Sequence, residues 1–223
     1  MNFMQWLNSL DELLYEVVSW IIFFPLTLWK IVRHPFAMMD YAAAELAKDD
    51  DDQYAETLSP PIFLILALVI SHAIGIAIGG GTNPIVRSHH GLAGLINDNT
   101  TFLLFKIVLF STFPLLLATQ MVRKTGKLDR NRLQPAFYAQ CFAMAPFALA
   151  IGLGAAMDQL HASWAKPLGA PLAGIGILLY IAVQTGWFMR GLHQSAPRAL
   201  GNALLAITAG LLIAAIIVYL FII

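Results

Sequence analysis

Residues 61–79 read Pro-Ile-Phe-Leu-Ile-Leu-Ala-Leu-Val-Ile-Ser-His-Ala-Ile-Gly-Ile-Ala-Ile-Gly and contain no Asp, Glu, Lys or Arg. A helix needs about 20 apolar residues to cross the roughly 30 Å of hydrocarbon in a bilayer, and this run supplies them. Four more runs of the same kind follow at 102–122, 136–157, 168–189 and 200–222. Barrel strands are shorter, about ten residues, and alternate in polarity, so continuous runs of this length are helices. The whole chain agrees: 59% of its 223 residues are apolar and 12% charged, against about 45–50% and 25% in soluble domains. The expected fold class is therefore all-α, a polytopic membrane helix bundle of five transmembrane helices, with membrane lipids as its first partners.

Proline and glycine punctuate these runs. Pro60, Pro61, Pro135 and Pro167 stand at helix entries, where a missing N–H costs nothing. Pro114 and Pro146 fall mid-span and should kink their helices. Small residues mark faces for close helix approach: Gly75 and Gly79, Gly152 and Gly154, Gly174 and Gly176, then Ala206, Gly210 and Ala214. Packing within the bundle is the first use of such faces, and a homodimer is the second.

Ahead of these runs lies a different kind of sequence. Residues 1–58 hold ten acids and three bases, whereas residues 59–223 hold three acids and ten bases, so a net charge of zero conceals two opposed halves. The two ranges are the expected domains, an acidic cytosolic or interfacial segment and a transmembrane unit. Within the first, the apolar stretch 17–29 is short for a span and is followed at once by Lys30, Arg33, His34 and Pro35. Its Trp residues and flanking charges suit an interfacial or re-entrant amphipathic helix. A sixth span beginning near Leu10 competes with that reading and would bring Glu16 into the apolar layer. The amino terminus lacks the basic region and cleavage site of a secretory leader, so insertion is expected to be directed by the spans themselves.

Basic residues resist translocation, so their distribution sets orientation. Lys30, Arg33 and Lys48 precede the first span, Arg123, Lys124, Lys127, Arg130 and Arg132 follow the second, and Arg190 and Arg198 follow the fourth. Arg87 and Lys166 alone occupy the other two connections, which gives ten basic residues on one side and two on the other. The expected orientation has the amino terminus in the cytosol and the carboxyl terminus on the opposite face, in the inner membrane if the chain is bacterial. A sixth span would move only the amino terminus.

Two groups of side chains are candidates for function. Inside the apolar layer, His72 and Lys106 are ionisable and fall in the same half of the bilayer, where they can meet; Gln140 and Gln184 are expected to bond between helices. Burial of a charge in hydrocarbon is costly, which makes such residues candidates for binding an anionic headgroup or relaying a proton. At the cytosolic face, Asp49, Asp50, Asp51 and Asp52 form an acidic run that could dock on the basic loop of Arg123, Lys124, Lys127, Arg130 and Arg132, offering a surface to a protein partner. The acidic run lacks the alternating ligands and glycine bend of a calcium loop. His89, His90 and His161 with Asp98 and Asp158 lack metal-ligand spacing, so neither metal nor cofactor is expected. Cys141 is the chain's single cysteine and forms no intramolecular disulfide. No phosphate loop, nucleophile elbow or metalloprotease motif is present, so neither catalytic residues nor an enzymatic role are expected, and nucleic acid is not an expected partner.

The segments Phe137-Tyr138-Ala139-Gln140-Cys141-Phe142-Ala143-Met144-Ala145-Pro146 and Trp187-Phe188-Met189-Arg190-Gly191-Leu192-His193-Gln194-Ser195 resemble the third span and the last inter-span turn of the Yip family, named for interaction with Ypt/Rab GTPases. The resemblance covers roughly residues 60–223 and lacks the Asp-Leu-Tyr-Gly-Pro segment of eukaryotic members. It implies five spans behind an acidic cytosolic segment, and no catalytic residues. The leading expectation is a non-enzymatic scaffold or accessory subunit of that type. The alternative is a small permease or lipid-handling protein with a cavity near His72 and Lys106.

Overall fold

Two aspartates just ahead of apolar runs set the starts of helices. Asp98 Oδ1 accepts the Thr101 backbone N–H at 2.7 Å, and Asp129 Oδ1 accepts that of Arg132 at 2.9 Å. Each satisfies a donor that the first helical turn leaves without an intrahelical partner. The computed structural model describes residues 3–49, 52–79, 98–160 and 165–222. Among these the order is α1 (Phe3–Arg33), α2 (Pro35–Glu45), α3 (Pro60–Gly79), α4 (Asn99–Thr125), α5 (Arg130–Gln159), α6 (Lys166–Leu192) and α7 (Ala196–Ile222), with no strand. The chain is an all-α helical bundle, as its apolar runs required.

The centre of the bundle is α5, which packs against α2, α3, α4 and α6, while α7 closes against α4 and α6. Its residues from Ala139 to Ala145 are all buried, including Gln140, Cys141, Phe142 and Met144. A helix buried on one face only would alternate, so this stretch is enclosed all round. Close approach between α5 and α6 depends on two glycines. A Cβ added at Gly154 would lie 2.7 Å from the Gly169 carbonyl oxygen, and one at Gly169 would lie 2.6 Å from that of Gly154. The small-residue faces therefore serve intramolecular packing at Gly152, Gly154, Gly176 and Gly210, whereas Gly75 and Gly174 have no neighbour within 4 Å. Between α6 and α7 the chain turns at His193, which takes a left-handed conformation (φ 49°), and the Gln194 N–H reaches back to the Met189 carbonyl at 3.3 Å.

Six helices are long and apolar enough to cross a membrane, the five expected ones and α1, whose Leu13–Arg33 portion qualifies. The apolar stretch at 17–29 is too short when counted alone. It gains length because the helix continues through Leu13, Leu14 and Val32 and is not ended by Pro25. Its packing, however, differs from that of the others. Phe24 meets Phe63 of α3 with ring centroids 5.2 Å apart. Two turns later Ile31 and Val32 share a cleft with Ile175 and Leu179 of α6. α1 thus touches α3 through Phe24 and reaches the α5–α6 cleft through Ile31 and Val32. Phe24, Thr27 and Ile31 are buried on this side, and Tyr15, Val18, Ile21 and Ile22 are exposed.

Candidate functional site

His72 comes from α3 and Lys106 from α4, and the fold brings them into one cavity of about 280 Å³ between α3, α4 and α5. The imidazole is held by its Nε2, which lies 2.9 Å from the Asn99 carbonyl oxygen at the start of α4. A carbonyl can only accept, so that nitrogen carries the proton and Nδ1 is left as the acceptor. Phe102 is the neighbour both residues share: its ring lies 5.7 Å from the His72 ring and 5.9 Å from Lys106 Nζ. Ser71 and Gln159 add polar atoms to a lining that is otherwise mostly apolar. The bare backbone of Gly152 lets α5 approach here, because a Cβ would lie 2.5 Å from Ser71 Cβ.

Among the described residues, no Asp or Glu lines the cavity and Lys106 makes no ion pair, so a cation and a hydrogen-bonding ring face it without a described acid. Desolvating an ammonium is unfavourable unless an anion or dipoles meet it, so the arrangement suits an anionic ligand.

Gln140 and Gln184, the other intramembrane candidates, lie apart from this cavity. Gln184 Nε2 donates to Gln140 Oε1 at 2.7 Å, and both side chains are buried at the α5–α6 contact. They join helices and do not line the His72–Lys106 cavity.

The charged face does not show, among the described residues, the docking of acidic run on basic loop that the sequence left open beside a solvated linker. Asp49 and Asp52 are exposed, and neither forms an ion pair among the described residues; Asp50 and Asp51 lie outside the described residues. Other acids of the amino-terminal segment carry the pairing. Asp40 meets Arg190 at 3.4 Å, Glu56 meets Lys30 at 3.5 Å, and Glu45 meets Lys48. In the basic corner, Asp129 pairs with Arg132 at 3.7 Å and Lys124 donates to Asn202 Oδ1 at 2.7 Å. Arg123, Lys127 and Arg130 are exposed and make no ion pair among the described residues.

Glu45 is the residue the sequence did not mark. It is 3% exposed, and its Oε2 accepts the Tyr54 backbone N–H at 2.8 Å while Tyr54 holds a left-handed φ of 56°. Tyr54 in turn donates its hydroxyl to the Ala42 carbonyl at 2.9 Å, and Thr27 Oγ1 accepts the Leu58 N–H at 3.2 Å. Together these bonds fold the segment after α2 back onto α1 and α2. Burial by itself would raise the Glu45 carboxyl, but the Lys48 ammonium and the Tyr54 N–H outweigh it and hold it below the usual range. Burial pushes the Tyr54 phenol up.

Among the described residues no three of His, Cys, Asp and Glu gather closely enough to hold a metal ion. His89, His90 and His161 lie outside the described residues. No protein-family model, curated protein or solved structure matches the chain, so its function is read from geometry.

Proposed function

We propose that this chain is an integral membrane protein that binds an anionic group between His72 and Lys106, as a small permease or lipid-handling protein, without catalysing a reaction. The supporting observation is the convergence of these two residues, from different helices, in a cavity whose lining contains no carboxylate among the described residues. A phosphate or carboxylate would meet the Lys106 ammonium and free the pocket from an uncompensated charge. A phospholipid headgroup and a soluble organic phosphate share that chemistry. In this reading the basic corner after α4 faces the cytosol together with the amino-terminal segment, and the end of α7 faces the opposite side; the ten-to-two distribution of basic residues favours it.

Thermal unfolding of the detergent-solubilised protein with glycerol 3-phosphate tests the reading. The midpoint should rise with ligand in the wild type, and the rise should vanish in the His72→Ala, Lys106→Gln double variant. An equal rise in both proteins would sink it, and so would none in the wild type.

A second reading, a scaffold or accessory subunit of the Yip-like type, draws on the exposed Asp49 and Asp52 and the unpaired Arg123 and Lys127 as a surface for a protein partner. Crosslinking in native membranes, with and without residues 1–58, should retrieve different partners. Identical partners would dismiss it.

A further inference from the structure

A groove of about 570 Å³ runs along the outside of the α4–α5 pair, away from the His72–Lys106 cavity. Val108 and Leu115 of α4 and Phe137 of α5 give it apolar walls, and Val108 and Leu115 are exposed. Arg130, at the first turn of α5, is the one charged residue that lines it, with Gln134 a turn further on. The carboxylate next in sequence, Asp129, is already engaged by the Arg132 backbone N–H and guanidinium. Arg130 thus presents an exposed guanidinium without a carboxylate partner among the described residues, beside an apolar channel.

We propose that this groove binds an anionic phospholipid, with an acyl chain along Val108, Leu115 and Phe137 and the phosphate on the Arg130 guanidinium. Moving an acyl chain from the bilayer into a groove gains no hydrophobic energy, because lipid tails are as apolar as the walls. The chain therefore fixes position, and preference among lipids comes from the headgroup. A guanidinium presents paired donors that match phosphate oxygens two at a time, and basic pockets between membrane helices hold anionic headgroups for that reason. A net negative headgroup is favoured over a zwitterionic one because its charge is not offset by a choline. Neither the orientation of the chain nor the anion cavity enters this inference.

Native mass spectrometry can read the preference directly. The protein is reconstituted in vesicles of equal phosphatidylcholine and phosphatidylglycerol with matched chains, then extracted, and the retained lipids are counted. The wild type should keep phosphatidylglycerol preferentially. Arg130→Gln should reduce that preference about fivefold, the equivalent of about 1 kcal/mol per basic group. Leu115→Trp, which fills the groove from an exposed position, should reduce retention of both lipids. Arg198→Gln, at an exposed site elsewhere, should behave as wild type, and the loss of preference caused by Arg130→Gln should be of the same size in the His72→Ala, Lys106→Gln background. An unchanged preference in Arg130→Gln overturns the proposal. Full retention in Leu115→Trp overturns the groove, because it leaves the lipid on surface charge alone. Disappearance of the Arg130→Gln effect in the His72, Lys106 background assigns the lipid to the cavity and overturns the proposal as well, and so does a wild type that carries no lipid but a second copy of the chain.

Discussion

The segment from α2 to Leu58 and the corner between α4 and α5 carry opposite charge, and they treat it in opposite ways. In the first, Asp40, Glu45 and Glu56 each have a basic partner, and one of the three carboxylates is buried. In the second, Asp129 and Arg132 pair locally, and Arg123, Lys127 and Arg130 are exposed without an ion pair among the described residues. The two regions are complementary in sum and yet do not neutralise each other. Long-range charge balance along a chain therefore says little about which ions meet. The first region spends its charges on holding a loop in place, and the second leaves them available to whatever lies outside.

The largest effect expected from breaking this contrast is at Glu45. Glu45→Ala strands the buried Tyr54 N–H, and a charge-assisted hydrogen bond lost from such a site costs about 2 kcal/mol. The loss should fall on the loop: amide exchange across residues 52–58 should accelerate strongly while the centre of α5 stays protected. Equal acceleration in both would mean that Glu45 supports the whole bundle, and no change would mean that the loop is held by its aromatic contacts alone. Tyr41 and Tyr138 supply those contacts, with ring centroids 6.2 and 6.3 Å from Tyr54.

Acid should reproduce part of that effect. The Glu45 carboxyl is held below its ordinary value in the folded protein, so the unfolded loop takes up a proton more readily than the folded one. Its contribution is present above the unfolded value, about 4.3, and is lost as pH falls from there through the lower folded value. Exchange in the loop should therefore rise below about pH 4.3 in the wild type and lose that component in Glu45→Gln. A wild-type loop that loosens on going alkaline from neutral pH instead would contradict the assignment.

Much of the bundle was legible because bilayer thickness makes span length a hard constraint. Runs such as 61–79 and 200–222 have one reading, and α3 and α7 follow it. His72 and Lys106 were legible for the same reason, since an ionisable residue in an apolar run stands out. Their meeting depended on the Asn99 carbonyl and on the room left at Gly152, and neither has a signature in sequence. The course of α1 was half legible: its composition suits both a crossing and a boundary helix, and only the contacts of Phe24 with α3 and of Val32 beside α6 give it direction. Glu45 was hidden because its partner is a backbone N–H nine residues on, made available by the left-handed turn at Tyr54. The run Asp49 to Asp52 drew attention by density of charge, although four adjacent like charges repel one another and do best in solvent.

The smallest effects should separate the two regions most cleanly, because they differ in what they respond to. Asp40→Asn and Glu56→Gln remove exposed pairs, with side chains 57% and 83% accessible, and each should cost about 0.5 kcal/mol or less. Arg123→Gln with Lys127→Gln removes charges that have no partner within the described chain, and should leave the unfolding midpoint in neutral detergent unchanged. Its effect should appear only against an external anion: co-flotation of the protein, reconstituted in neutral nanodiscs, with phosphatidylglycerol vesicles should weaken in this variant and weaken further with salt, as exposed charge does. Asp40→Asn should leave that flotation unchanged, since Asp40 is engaged with Arg190. If instead the Arg123, Lys127 variant unfolds earlier and binds vesicles normally, the basic corner is an internal support like the acidic segment, and the contrast between the two regions disappears.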